Sequence, residues 1–150
     1  MTTPVVFLID NGSLRPQAVL RLRCLAKALA ARVDLRVEAV SLLHSHKVPA
    51  VQLNGIPATI VKRRLLEWIE DGQREFIFLP LFLGPSLAIS EYLPQVVEAL
   101  QGRCTDLSVK IAPALAGADL DAPDPRLAQI LAAQVRTLKP SSDTRVALID

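Results

Sequence analysis

Residues 76–84 read Phe-Ile-Phe-Leu-Pro-Leu-Phe-Leu-Gly, the most hydrophobic run of the chain. An apolar run that ends at a glycine is typical of a strand covered on both faces, as in a parallel sheet. Pro80 has no backbone N–H and cannot donate to a sheet ladder, so we expect it at the strand's end or at a distortion. The run therefore predicts a buried strand over residues 75–82.

Similar patterns on both sides of this strand predict alternating strands and helices. Further strands are expected over residues 4–9, 35–43 and 107–112, and helices over residues 16–32, 56–72, 89–100 and 124–138. The first helix carries one apolar stripe, which consists of Ala18, Leu22, Leu25 and Leu29. The order βαβαβαβα requires an α/β fold with a four-stranded parallel sheet and right-handed crossovers.

Composition excludes several classes of protein. The formal net charge is +2 and the only basic cluster is 62–64, whereas proteins that follow a nucleic-acid backbone need an extended basic stripe. The sequence has no apolar run long enough to span a membrane and no signal-peptide pattern, so we expect a cytoplasmic protein that binds neither nucleic acid nor membrane.

Cys24 and Cys104 stand alone and are expected to be free thiols, with Cys24 packed inside a helix.

Ligands of parallel α/β sheets bind outside the carboxyl ends of the strands, so functional residues are expected there. Asn11, Gly12 and Ser13 follow the first strand, where backbone N–H groups can hold a phosphate or carboxylate. The alternative is a turn that needs Asn and Gly for backbone reasons alone. The loop with Gly84 and Ser86 follows the third strand.

Three further side chains at this edge could carry chemistry. His44 and His46 follow the second strand, and residues two apart in an extended backbone point to the same side, so both imidazoles could bind one cation. Two exposed loop histidines are the alternative. Glu91 lies in the first turn of the third helix, where the helix dipole alone would account for a carboxylate.

Five segments occur in an order that is typical of one enzyme family. They are Ile-Asp-Asn-Gly-Ser-Leu-Arg-Pro at 9–16, Val-Glu-Ala-Val-Ser-Leu at 37–42, the strand at 78–84, Glu-Tyr-Leu-Pro at 91–94 and Ile-Ala-Pro-Ala-Leu at 111–115. Over residues 4–138 the chain resembles the sirohydrochlorin/cobalt chelatases, the CbiX-type members of the class II chelatases. The resemblance implies a three-layer αβα fold and insertion of Co²⁺, Fe²⁺ or Ni²⁺ into a tetrapyrrole, with the metal as substrate and no tightly bound cofactor.

The chain departs from the family pattern at both of its metal-binding positions. In the family the first turn reads Gly-His-Gly-Ser and a second His follows the third strand, whereas here the two positions align with Asn11 and Ala88. Asn offers only a weak carbonyl oxygen and Ala offers nothing, so two hypotheses remain. Either His44 and His46 have taken over metal binding, with Glu91 as a further catalytic group, or this is a non-catalytic half of a two-domain chelatase.

The alternative to a chelatase, or to the N-terminal part of one, is a tetrapyrrole-binding or assembly module without catalysis of its own. Asn11, Gly12 and Ser13, together with Gly84 and Ser86, would then bind the ligand's acidic groups. A protein of the same fold with an unrelated small ligand is a third reading, because fold does not fix function.

The sequence of the first predicted strand is repeated, almost unchanged, at the end of the given sequence. Val-Phe-Leu-Ile-Asp at 6–10 returns as Val-Ala-Leu-Ile-Asp at 146–150, one domain length later. We expect a domain over residues 1–139, then a linker and the first strand of a second repeat over residues 140–150. The alternative is an additional edge strand, over residues 146–149, of the same sheet. A second domain or a homodimer partner is expected to complete the protein.

Overall fold

The computed structural model describes residues 3–119 and 121–147. Its strands are β1 (Val5–Asp10), β2 (Val37–Ser41), β3 (Glu75–Pro80) and β4 (Ser108–Ile111). Its α-helices are α1 (Pro16–Val33), α2 (Val61–Glu70), α3 (Leu93–Gln101) and α4 (Pro125–Thr137). Two short 3₁₀ helices, Ser45–Lys47 and Ala50–Leu53, follow β2, and a π-helical turn, Ala88–Tyr92, runs directly into α3.

The four strands form one parallel sheet in the order β2-β1-β3-β4. Side chains of β1 alternate between the two faces of the sheet. Leu8 packs with Leu22 and Ala26 of α1 on one face, and Phe7 packs with residues of α2 and α3 on the other. The α/β fold class and the four-stranded parallel sheet with helices on both faces are confirmed.

Aromatic rings from neighbouring strands form the centre of the core. Phe7 and Phe78 stack with ring centroids 5.4 Å apart, and Phe76 meets Phe7 edge to face at 5.5 Å. All three side chains are almost completely buried. β3 ends at Pro80, which agrees with the expected position of a residue that cannot donate to the ladder.

Two details of the helices differ from the sequence prediction. In α1 the buried residues are Val19, Leu22 and Ala26, while Leu25 is 45% exposed, so the stripe is rotated by about one position. Cys24 is exposed, and the prediction that it packs inside is wrong.

Helix α2 begins at Val61 and not at residue 56. Pro57 disfavours a helical conformation at the preceding residue, and Arg23 donates to the carbonyl oxygens of Ile56 and Pro57, which are therefore bound outside any helix. Ile60 instead forms an isolated parallel bridge with Ser41 of β2.

The last part of the chain is the most exposed. Asp124 caps α4 by accepting a hydrogen bond from the Arg126 N–H, and no residue of this fully described helix is buried. The predicted strand over residues 146–149 falls partly outside the described residues; Val146 and Ala147, which are described, are not in a strand. Within residues 3–119 and 121–147, no helix is both long enough and apolar enough to cross a membrane.

Candidate functional site

A chain of hydrogen bonds ties the loop after β1 to the loop after β2. Ser41 Oγ donates to Asp10 Oδ1 at 2.6 Å, and Ser45 Oγ donates to Ser41 Oγ at 2.8 Å. The backbone N–H of Ser13 then donates to Ser45 Oγ at 3.1 Å. Ser41 and Ser45 are buried, so these bonds fix the two loops firmly against each other.

The carboxyl group of Asp10 is the acceptor at the end of this chain. Burial raises its pKa above the ordinary value of 3.8, and the hydrogen bond from Ser41 opposes that rise only in part. The protein therefore stabilises the ionised form of Asp10 less than water does.

Gly12 allows the two loops to approach closely. Its φ is +96°, and a Cβ atom at this position would lie 1.7 Å from the carbonyl oxygen of Leu43. Beside it, the Leu42 N–H donates to Asp10 O at 2.9 Å and the Leu43 N–H to Asn11 O at 3.4 Å. Gly12 is thus required by the backbone, and the same turn also fixes the position of Asn11.

A cleft of about 390 Å³ opens beside this turn, at the carboxyl edge of the sheet. Its lining residues are Asn11, Leu42, Leu43, Leu87, Ala88, Glu91, Tyr92 and Gln95. Leu43 and Leu87 are 45% and 70% exposed and form an apolar rim, while Glu91 is the only charged residue of the lining. Such a cleft suits a largely apolar ligand held by a few polar groups.

The π-helical turn Ala88–Tyr92 brings Ala88 and Glu91 into the cleft. Ser86 caps the start of this turn, because its Oγ accepts a hydrogen bond from the Ala88 N–H at 3.2 Å. π-Helical turns are rare in proteins and occur frequently at functional sites.

The predicted site residues are only partly brought together. Asn11 and Glu91 line the cleft, whereas Gly12 and Ser13 are not among its lining residues and belong to the turn that positions Asn11. Ser86 lines a separate cavity of about 230 Å³, and Gly84 lies in the loop between β3 and Ser86.

The two histidines lie near the cleft but not in its lining. The prediction of an extended backbone here is wrong, because His44 has a φ of +68° and His46 belongs to a 3₁₀ helix. His44 is exposed, and Nδ1 of the half-buried His46 is buried without a hydrogen-bond partner among the described residues. Nowhere in the described parts of the chain do three or more His, Cys, Asp or Glu side chains form a group that could hold a metal ion.

Sequence reasoning missed several residues of the cleft, notably Leu87, Tyr92 and Gln95. A signal was present, since positions 88, 91, 92 and 95 follow the i, i+3, i+4, i+7 spacing that places residues on one helix face. The four residues are Ala, Glu, Tyr and Gln, so they do not form the apolar stripe by which a helix face is usually recognised in a sequence.

Comparisons with known proteins give a match in structure alone. No protein-family model and no curated protein matches the sequence. The crystal structure of a Marinobacter aquaeolei VT8 protein, provisionally named a cobalamin (vitamin B12) biosynthesis CbiX protein, is similar with a TM-score of 0.63. The alignment covers 91% of this chain and 98% of that chain at 15% identity. The chain therefore shares the fold of this CbiX protein, and at this identity the likeness concerns the fold alone.

Proposed function

We propose that the chain binds a tetrapyrrole in the cleft beside Asn11 without inserting a metal there. One observation carries this proposal: Asn11 and Ala88, which the sequence resemblance assigns to the two metal-binding histidine positions of the chelatase pattern, line the same cleft. The site has the location expected for a tetrapyrrole and lacks the side chains that insertion needs.

The missing chemistry is specific. Metal insertion needs a ligand for the incoming divalent ion and a base for the pyrrole protons, and a neutral imidazole can serve as both. An Asn amide is a weak oxygen donor without a basic site, and Ala88 has no functional group. Glu91 is the single ionisable carboxyl group of the lining.

The charge of the cleft also constrains how a tetrapyrrole would lie in it. The lining contains Glu91 and no Lys, Arg or His, so acidic substituents would be repelled from its floor. The apolar side chains of Leu43 and Leu87 can cover the face of the macrocycle. The carboxylates of the ligand would therefore project outwards into solvent.

Absorbance spectroscopy tests the proposal. Metal-free sirohydrochlorin titrated with the protein should show a saturable spectral change, and added Co²⁺ should enter the macrocycle no faster than in buffer. The absence of saturable binding would contradict tetrapyrrole binding, and faster insertion would contradict the non-catalytic assignment.

A second candidate is metal insertion that uses His44 and His46. It is favoured by the hydrogen bond from the Ser13 N–H to Ser45 Oγ, which attaches the histidine-bearing loop to the turn of Asn11. In this candidate the exposed imidazole of His44 would deliver Co²⁺ or Fe²⁺, and Glu91 would accept pyrrole protons. Titration with Co²⁺ or Ni²⁺ of a His44→Ala/His46→Ala variant is the test, and unchanged metal binding would exclude this candidate.

A second domain or a homodimer partner and a cytoplasmic location stay predictions. In the second candidate the metal would be a substrate and not a resident cofactor.

A further inference from the structure

A second cavity, of about 400 Å³, lies along the outer edge of β2. None of its lining residues belongs to the cleft described above. The cavity forms because the segment before α2 meets β2 only at its end, where the Ser41 N–H donates to Thr59 O at 3.3 Å. Nearer Pro57 the segment diverges from the strand, and the gap is closed by side chains of α1 and α2.

The charges that line this edge cavity are not balanced. The carboxylate of Glu38 accepts hydrogen bonds from Arg36, Arg64 and Trp68, and Glu67 accepts one from Arg64. Both carboxylates of the lining are thus already paired. Arg23 and Arg63 also line the cavity, and neither forms an ion pair with a carboxylate in the described parts of the chain.

Arg23 is held rigidly at the cavity wall. Its guanidinium group donates to the carbonyl oxygens of Leu53 at 3.2 Å, Ile56 at 2.8 Å and Pro57 at 3.1 Å. Burial lowers the pKa of Arg23, because the charged form loses hydration. Carbonyl dipoles compensate a desolvated cation only in part, so a negative charge nearby would stabilise this group.

Thr59 also lines the cavity, but its Oγ1 is buried beneath the cavity surface and has no hydrogen-bond partner within the described structure. Thr59 therefore belongs to the wall and not to the groups that would contact an anion.

We propose that the edge cavity binds a small oxyanion, a phosphate or a carboxylate group, between Arg23 and Arg63. The anion accepts charge-assisted hydrogen bonds from Arg63 and from the remaining N–H groups of Arg23. Arg64 holds Glu38 and Glu67 and so limits their repulsion of the ligand.

NMR titration of the full chain at constant ionic strength tests this proposal, with inorganic phosphate in one arm and acetate in the other, and KCl as the balancing salt. We expect saturable shifts of the Thr59 and Arg63 amide signals and of the Arg23 Nε–H signal in at least one arm. Comparison of the arms distinguishes a phosphate from a carboxylate ligand.

Variants separate a built site from general attraction of anions. Arg63→Gln should weaken binding about tenfold or more, because it removes a charge-assisted bond. Arg21→Gln, an exposed change on α1 outside the cavity, should leave the affinity unchanged. Shifts that stay linear in both arms, or equal losses in Arg63→Gln and Arg21→Gln, would overturn the proposal.

Discussion

Replacement of Gly12 by Ala should destabilise the protein far more than the same replacement at Gly72. Both glycines have positive φ, +96° and +91°, so a Cβ atom causes a similar conformational penalty at each. At Gly72 that atom would have no neighbour within 4 Å, whereas at Gly12 it would lie 1.7 Å from the Leu43 carbonyl oxygen. The two variants therefore differ in the close approach alone.

The magnitude follows from the contacts that must move. A positive φ costs a non-glycine residue about 1–2 kcal/mol, which is the whole cost expected for Gly72→Ala. In Gly12→Ala the Leu43 carbonyl must also shift. That shift weakens the hydrogen bonds from the Leu42 and Leu43 N–H groups to the turn after β1, and each weakened bond costs about 0.5–1.5 kcal/mol. We expect a total loss of about 3 kcal/mol for Gly12→Ala.

Urea denaturation measures both free energies of unfolding, and an unchanged slope against urea would show that the comparison is valid. Gly→Ala also restricts the unfolded chain, but it does so equally at both positions. Equal losses in the two variants would refute the assignment of Gly12 to a close contact between the loops. The same variant should also impair tetrapyrrole binding, because it displaces Asn11.

Three further predictions concern ionisable and buried polar groups. Because the pKa of Asp10 is raised in the folded protein, its contribution to stability is full below pH 3.8 and is lost as the pH rises through the folded-state pKa. Urea midpoints measured from pH 3.5 to ~7 should show this decrease for the unmodified protein, and Asp10→Asn should abolish it. Burial tends to raise the pKa of Glu38, but bonds from Arg64 and Trp68 hold it below 4.5, so its stabilisation is present above that pH and lost as the pH falls. Glu38→Gln should lower the free energy of unfolding by about 2 kcal/mol at neutral pH, which is less than for a fully buried ion pair because Arg64 is 30% exposed. A loss of the same size under acid conditions would contradict this. Thr59→Val should raise the free energy of unfolding by about 1 kcal/mol in anion-free buffer, since it removes an unpaired buried hydroxyl, and a decrease would show that Thr59 has a partner.

The sequence predicts the sheet well because each strand is a strong local signal. The run at 76–84 is apolar enough to require burial, and Pro80 marks the end of β3. Helix α1 is harder, because it is rich in Ala and Leu on several faces. Leu22 belongs to two possible apolar stripes of this helix, one that contains Leu25 and one that contains Ala26. Packing against Leu8 buries the stripe with the smaller Ala26, so Leu25 stays exposed.

The site is less predictable because its side chains come from distant segments and from irregular backbone. The turn of Asn11 and the position of Glu91 follow from the rule for the carboxyl edge of parallel sheets. The positive φ of His44 does not follow from that rule, because it depends on how the loop after β2 packs against the turn after β1. The edge cavity was equally hidden, because it results from the late start of α2.

The most direct test of tetrapyrrole binding in the cleft is a sirohydrochlorin absorbance titration of two matched variants. Ala88→Phe places a ring inside the cleft, while Ala99→Phe places one on an exposed position of α3 outside it. Steric exclusion of about 1–3 kcal/mol predicts that Ala88→Phe weakens binding about tenfold or more and that Ala99→Phe binds like the unmodified protein. Equal affinity of Ala88→Phe and the unmodified protein would contradict the assignment of this cleft as the tetrapyrrole site.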